Sequence, residues 1–452
     1  MRIQLEKRPL LIALSGLAVG LTAVHYPANL FVVAVLLGLC RSLRSWMVLA
    51  VAIGVGLVLS PTDRPILASP TFTTGPIKVL SVPTPTQQDV RFEGEVEGLR
   101  IRMSVPDDSD LHFGDLLQGG VLLSPVPEDR EAAFRDSGWQ GTARLSKAVP
   151  ISPGPRIFST ADWFKDRFSK FVTAEIGEQD ASWIEAFWFR SRRISPQEQT
   201  DLIASGSYTF IAASSLQVYL LFGASVWLLG AVLQLDRRLQ IGAALAILVL
   251  YWLATGLHGN TLRASITCIA LAGAYLVRRE PDICSVTALA GLMFLIVFPR
   301  SVYSLGFQIS MFVPIAIGMF FHSSRRPGIQ GRLIDYLRGM AIVFLAGQPL
   351  IAAHTGHIGL GQLASTAFLS LLTPVILVGS LGAFASSFVF RALARGLLIG
   401  LVAPLTECVR ASVEFFAKLP LQFELPGLPS YWICVYYGAW LFTWRGLPRK
   451  AD

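Results

Sequence analysis

Gly347 to Phe390 reads GQPLIAAHTGHIGLGQLASTAFLSLLTPVILVGSLGAFASSFVF, and no Asp, Glu, Lys or Arg interrupts it. Gly242 to Gly256 is equally free of charge. A mostly apolar run of about 18 or more residues can cross a hydrocarbon layer roughly 30 Å thick. One such run is compatible with a buried helix or a signal peptide, but repetition over most of a 452-residue chain is not. Composition agrees. Hydrophobic residues make up 53% and charged residues 15%, with a mean hydropathy of +0.54, whereas a soluble globular protein carries about 25% charged residues. The fold class read from this is a polytopic α-helical membrane protein, which excludes a soluble enzyme.

The first residues, MRIQLEKRPLLIALSGLAVGLTAV, join a basic flank to an apolar stretch, the outline of a signal peptide. Apolar runs at Leu30 to Cys40 and Trp46 to Leu59 follow with no polar cleavage region before them, so the first run reads as a retained helix. The five cysteines (Cys40, Cys268, Cys284, Cys408 and Cys434) all lie in or beside apolar runs. That leaves no disulfide framework and no zinc spacing, and no cofactor or metal is expected.

Apolar segments at about 10–24, 28–40 and 45–60 precede a polar region of about 61–205. Further spans are expected near 208–232, 240–256, 263–277, 283–298, 304–321, 336–353, 362–384, 396–417 and 430–445, making about twelve transmembrane helices. Lys and Arg in short loops mark the inner side of a membrane. With the N-terminus inside, that side collects Arg2, Lys7, Arg8, Arg41, Arg44, Arg237, Arg238, Arg278 and Arg279. Arg325, Arg326, Arg332, Arg391, Arg395, Arg445, Arg449 and Lys450 join them. The opposite side receives the long polar region and short loops holding Arg263, Arg300 and Lys418. Basic inner loops also account for the formal net charge of +8 without calling on a nucleic acid. The expected division is N-terminal helices at 1–60, an extracytoplasmic β domain at 61–150 and an amphipathic helical linker at 151–204. A transmembrane core at 205–446 and a cytoplasmic tail at 447–452 complete it.

From Val90 to Leu145 short stretches of alternating pattern, with Gly114, Gly119 and Gly120 at turns, predict a small barrel or sandwich. Between Asp89 and Asp115 stand eight acidic residues (Asp89, Glu93, Glu95, Glu97, Asp107, Asp108, Asp110 and Asp115) against Arg91, Arg100 and Arg102. That balance argues against a strong DNA clamp. From Thr160 to about Arg193 the period turns helical, with Phe164, Phe168, Phe171 and Val172 on one face. This helix has two open placements, on the membrane interface or beneath the strand domain.

Polar groups within a membrane are costly and face a cavity or a partner. Arg263, at the outer end of its span, either meets a phosphate or snorkels to the interface. Gln308 and Ser310 either line a path or bond between helices. Ser205, Ser207, Ser214, Ser215 and Gln217 give 205–217 the character of a broken or re-entrant helix. Glu407, Arg410 and Glu414 share a helical face; the preferred reading ends the span early and leaves them at the interface. His354 and His357 have no Asp, Glu or Cys beside them and read as interfacial or helix-terminal rather than metal-binding.

Four stretches go further. They are SGSYTFIAASSLQVYLL (205–221), GNTLRASITCIALAGAYLVRREPD (259–282) with its Arg263–Ala264 pair, FPRSVYSLGFQIS (298–310) and GQPLIAAHTGHIGLGQLASTAFLSLLTPVILVG (347–379). The third carries Pro299, Gly306, Phe307, Gln308 and Ser310, and the fourth Pro349, His354 and Pro374. With a β domain after N-terminal spans, the chain resembles the ComEC family, the inner-membrane channel proteins of bacterial DNA uptake. The resemblance implies an OB-like external domain after the third helix and a permease, not an enzyme, that passes single-stranded DNA inward. Separate DNA-receptor, helicase/ATPase and nuclease proteins, membrane lipids and a second copy of the chain are the partners it implies. It also makes Ser214, Gln217, Arg263, Gln308, Ser310 and His354 the candidate DNA-path or core-polar residues. The chain departs from the family pattern at Ser214, Ser215, Leu216 and Gln217, where a Ser-Gly-Leu-His motif is expected. It stops at Asp452, with no histidine–aspartate metal motif, whereas many relatives continue into a metallo-β-lactamase-like domain. The expectation is a form lacking that domain. The competing reading is a diverged scaffold or solute transporter. A membrane-embedded enzyme would need Arg263, His354 and an acidic residue such as Glu407 to converge.

Overall fold

A computed structural model describes residues 8–23, 43–60, 66–189, 193–207, 215–278, 282–321, 328–419, 422–424 and 436–437, apart from short breaks inside the β region and near 232, 256, 356 and 360. The helices are α1 (Pro9–Ala23), α2 (Leu43–Val58), α3 (Arg156–Ile176), α4 (Glu178–Phe189), α5 (Pro196–Ala204), α6 (Ser215–Ala231) and α7 (Arg237–Ala254). They continue with α8 (Gly259–Leu276), α9 (Ile283–Val297), α10 (Leu305–Phe320), α11 (Gly328–Thr355), α12 (Gly361–Ser387) and α13 (Arg391–Ala417). Among the described residues four helices are long and apolar enough to cross a membrane: α7, the Gly328–Ala353 part of α11, α12 and α13. Shorter apolar stretches in α1, α2, α6, α8, α9 and α10 occupy the other expected positions. The expected spans at 28–40 and, but for residues 436–437, at 430–445 lie outside the described residues. The last helix is longer than expected, because a π-helical turn at Leu398–Val402 joins Arg391 to Ala417 without a break.

The chain divides into two compact units. One comprises Met1–Thr62, Ile269–Leu363 and Leu421–Asp452; the other comprises Asp63–Cys268 and Ala364–Pro420. In the first unit α1 and α2 pack through glycines. A Cβ at Gly20 would meet the Ile53 carbonyl oxygen and stand 2.9 Å from the Gly56 Cα, and one at Gly56 would stand 2.5 Å from the Leu17 carbonyl oxygen. Lipid chains are as apolar as leucine, so helices in a membrane gain by close backbone approach, which small residues permit. Arg8 then ties the start of α1 to Asp282 at 2.8 Å, and Asp282 caps α9 by accepting from the Ser285 N–H. Two short strands, His357–Gly359 and Gln422–Glu424, pair antiparallel in the same unit.

The second unit holds the β domain. Its strands are β1 (Thr71–Thr73), β2 (Ile77–Val79), β3 (Thr84–Pro85), β4 (Asp89–Val96), β5 (Leu99–Pro106), β6 (Leu116–Gln118), β7 (Val121–Ser124), β8 (Gly141–Arg144) and β9 (Val149–Ser152). β4 and β5 form a hairpin whose turn residues, Glu97 (φ 51°) and Gly98 (φ 79°), are both left-handed, as a two-residue turn between twisted strands requires. β5 pairs in parallel with β8, β8 pairs with β7, and on the other flank β4 pairs with β2 and β2 with β6. β6 and β7 are successive parts of one stretch, so that stretch pairs at both flanks. Val90, Phe92, Val96, Ile101, Met103, Leu117 and Leu123 alternate inward and fill its core. Several of the acids counted in the sequence have structural partners. Asp115 accepts from the His112 and Gly154 N–H groups, each at 2.7 Å, and Glu97 accepts from the Thr73 hydroxyl at 2.6 Å.

The amphipathic segment 156–204 packs into the helical core of this unit. Phe168 and Val172 of α3 and Trp183, Ile184, Ala186 and Phe187 of α4 are fully buried in one apolar cluster with Leu248 of α7, Leu369 and Ile376 of α12 and Val409 of α13. At the start of α5, Ser195 and Glu198 form a reciprocal capping box. Glu198 also accepts from the Trp183 indole at 3.0 Å. Burial by itself would raise the Glu198 carboxyl, but the hydrogen bonds from Ser195 and Trp183 outweigh it and leave the pKa below its ordinary value.

Two outcomes are expected. Gly20→Ile separates α1 from α2 and lowers stability by about 1–3 kcal/mol, read as a lower Tm of the detergent-solubilised protein. A carboxyl whose folded pKa is lowered adds stability that is complete above its unfolded pKa and is lost as pH falls through the folded value. Glu198→Gln therefore lowers Tm at pH 7, and the gap from the parent narrows on acidification.

Candidate functional site

The candidate residues divide between the two units. Gln308, Ser310 and His354 lie in the first, Arg263 and Gln217 in the second, and Ser214 lies outside the described residues. In the first unit Gln308 donates its amide to the Val302 carbonyl at 3.0 Å, and Ser310 donates to the Phe307 carbonyl at 2.8 Å. Both bonds are local to α10 and the turn before it. Of His354 only the backbone is described, in the last turn of α11.

The second unit holds a polar interior built on membrane-type helices. Arg263, in the second turn of α8, is only 3% exposed. A guanidinium is always charged, so burying one needs hydrogen-bonding company. Around the α7–α8 turn, Thr255, Thr261 and Ser265 are buried as well, and the Thr255 hydroxyl donates to that of Thr261 at 3.4 Å. Thr267 donates to the Arg263 carbonyl at 3.0 Å and lies beside Tyr219 of α6. The start of α6 therefore meets the first turns of α8. Two residues before Tyr219, Gln217 is 1% exposed, and its Oε1 has no hydrogen-bond partner among the described residues. The amide stands where the family resemblance leads one to expect histidine.

α12 adds three buried hydroxyls that sequence reasoning did not single out: Ser365, Thr373 and Ser380. Their spacing of eight and seven keeps them near one helical face, a polar stripe in an otherwise apolar run and a signal already present in the sequence. Ser365 bonds Ser207, which accepts from Ser205 at 2.9 Å, so the serines at the end of α5 dock on the first turns of α12. Ser380 accepts from the Trp188 indole at 2.9 Å. Thr373 Oγ1 and Ser265 Oγ have no hydrogen-bond partner among the described residues. Each such buried atom forfeits about 1–3 kcal/mol.

Among the described residues the acids of α13 pair elsewhere. The Glu407 side chain is 71% exposed and lies 4.0 Å from Arg410, which also bonds Asp180 of α4 at 3.2 Å, while Glu414 pairs with Lys418. Glu407 and Arg410 therefore pair with each other, Arg410 reaches on to α4, and Glu414 is taken up by Lys418 just past the helix. Among the described residues no group of three or more His, Cys, Asp or Glu is placed to hold a metal ion.

The sequence model of the competence protein family matches residues 190–450, which takes in α5 to α13 and more than half of the chain. The chain belongs to the competence protein family. No curated protein and no solved structure matches it. Membership gives this membrane protein a role in competence and DNA uptake in the broad sense, and the family is not a known enzyme family. The matched region holds every candidate residue named above, whereas the β domain and α1 to α4 lie outside it.

Thr373→Val replaces an unpartnered hydroxyl by a methyl of similar shape and should stabilise the protein by about 1 kcal/mol or more. Thr406, also buried, donates to the Val402 carbonyl at 2.9 Å, so Thr406→Val should be neutral or destabilising. Tm values of the two variants check the contrast.

Proposed function

We propose that this competence-family protein is the permease that carries single-stranded DNA inward across the bacterial inner membrane. The observation that carries the reading is the buried Arg263, in the same unit as several buried hydroxyls and a buried amide and inside the region that matches the family. A polyanion crossing an apolar layer needs fixed positive charge and hydrogen-bonding groups that water does not supply. Arg263 provides the charge, and Gln217, Ser265 and Thr373 provide polar atoms with no partner among the described residues. The β domain sits on the extracytoplasmic side as an OB-type module. The support for that type is its one parallel pair and the stretch 116–124 pairing at both flanks, which fit a five-segment Greek-key barrel. Its acids and its cation–π contact of Arg102 on Trp139 at 5.0 Å favour a structural or docking role over strand capture. Strand separation, energy and degradation of the second strand fall to separate receptor, helicase/ATPase and nuclease proteins.

Gln217 in place of histidine favours a second reading, a relative that has left DNA transport and serves as a scaffold or carries another solute. Uptake of labelled duplex DNA into the cytoplasm of the parent cell, with and without the gene, separates the two. Deletion should abolish uptake, the parent sequence should restore it, and Arg263→Ala should fail at normal expression while Gln217→His restores it. Unchanged uptake on deletion in a competent cell would refute the permease.

A further inference from the structure

Three successive turns of α3 converge on one ring of α12. Phe164, Phe168 and Phe171 lie 5.4, 5.3 and 5.8 Å from Phe384, and Phe384 is 5.3 Å from Phe388. α3 therefore crosses the C-terminal end of α12 instead of running along it. Glu175, almost wholly buried near the end of α3, receives Arg391 at 3.5 Å and Arg395 at 3.4 Å from the start of α13. The outer faces of this corner are apolar and exposed: Trp163 is 58% exposed, Phe388 60%, Val389 73% and Phe390 65%. The two arginine side chains are 83% and 67% exposed, and on the exposed side of α3 stand Arg167 and also Lys170, which lies 3.9 Å from Asp166. Two cations facing one carboxylate leave one charge uncompensated.

We propose that α3 and the α12–α13 corner form one anchor seated on anionic phospholipid headgroups, on the same side of the membrane as the β domain. α12 is long and apolar enough to cross, so Phe388 to Phe390 stand where it leaves the hydrocarbon. Exposed aromatics beside arginines and lysines at that level have the composition of an interfacial belt, with the rings among acyl chains and the cations at phosphates. The side follows from the join between β9 and α3. The Gly154 N–H is held by Asp115, and Gly154 lies against Phe113, so α3 starts on the β domain itself. Glu175 then brings Arg391 and Arg395 to the same side, against the alternation of basic loops that assigns them to the inner face. The anchor does not depend on DNA being the cargo.

The test uses the full chain with its five cysteines replaced by serine and single cysteines introduced. Val389→Cys and Arg144→Cys of β8 are labelled with a membrane-impermeant maleimide in intact spheroplasts and in inverted vesicles. Both should react in the same preparation; reaction in opposite preparations would overturn the proposal. If the cysteine-free chain does not fold, a protease site inserted after Val389 in the parent chain, cut from one side only, reads the same thing. Depth is read from a fluorophore at Trp163→Cys in phosphatidylglycerol nanodiscs. A nitroxide on the lipid headgroup should quench it more than one deep in the acyl chain, and no quenching by either would overturn the anchor. Shielding of Val389→Cys by single-stranded DNA without lipid quenching would give the corner to nucleic acid instead.

Discussion

The indole of Trp188 donates to Ser380 at 2.9 Å, and the backbone carbonyl of the same residue accepts the Tyr251 hydroxyl at 2.7 Å. Trp188 is the penultimate residue of α4, where carbonyls lose their intrahelical donors. In a core without water each such group must find a side chain or remain at a loss. One residue therefore joins α4 to α7 and to α12, and the rings of Phe168 and Tyr251 close around it at 6.4 and 5.7 Å. Interhelical hydrogen bonds of this kind contribute about 0.6–2 kcal/mol each in a membrane. Their direction matters more than their strength, because they fix which faces of α7 and α12 turn inward. The buried hydroxyls of α12 take their place from that choice.

The same constraint explains why a segment with the charge of a soluble linker is buried. The Glu185 carboxylate bonds the Ser169 hydroxyl, Asp180 meets Arg410, Glu175 meets Arg391 and Arg395, and Glu198 closes a capping box and holds Trp183. Glu175 and Asp180 fasten the segment to α13, while Glu185 and Glu198 tie its own helices to one another. Breaking one partner strands the other, which is the costly case for buried ion pairs. The polar residues of this segment are accordingly part of the scaffold, in contrast to the unpartnered Gln217, Ser265 and Thr373.

The helix positions were legible because length and charge-free runs depend on composition alone: 240–256 was expected and α7 covers Arg237–Ala254, and 362–384 was expected and α12 covers Gly361–Ser387. The placement of α3 and α4 was not legible. A face of Phe164, Phe168, Phe171 and Val172 satisfies a lipid surface, a sheet or a helix equally well, and only tertiary partners such as Phe384 select one. The π turn in α13 was hidden for a similar reason, since Leu398–Val402 has no residue type that marks it. Arg263 and Gln217 could be named from the chain because a polar residue in an apolar run is conspicuous. Ser365, Thr373 and Ser380 escaped because hydroxyls are ordinarily satisfied by their own helix backbone, and nothing local tells Thr406, which is satisfied in that way, from Thr373, which is not.

Histidine and glutamine differ at position 217 in one respect that bears on transport. A histidine titrates near neutrality and alternates between one donor and two, whereas a glutamine keeps two donors and an acceptor without charge at any pH. Glutamine at this position thus keeps hydrogen-bonding capacity and does not titrate. Arg263, whose charge reaches Tyr219 of α6, does not deprotonate. On the permease reading proposed above, Arg263 therefore keeps its attraction for a polyanion constant across the physiological pH range.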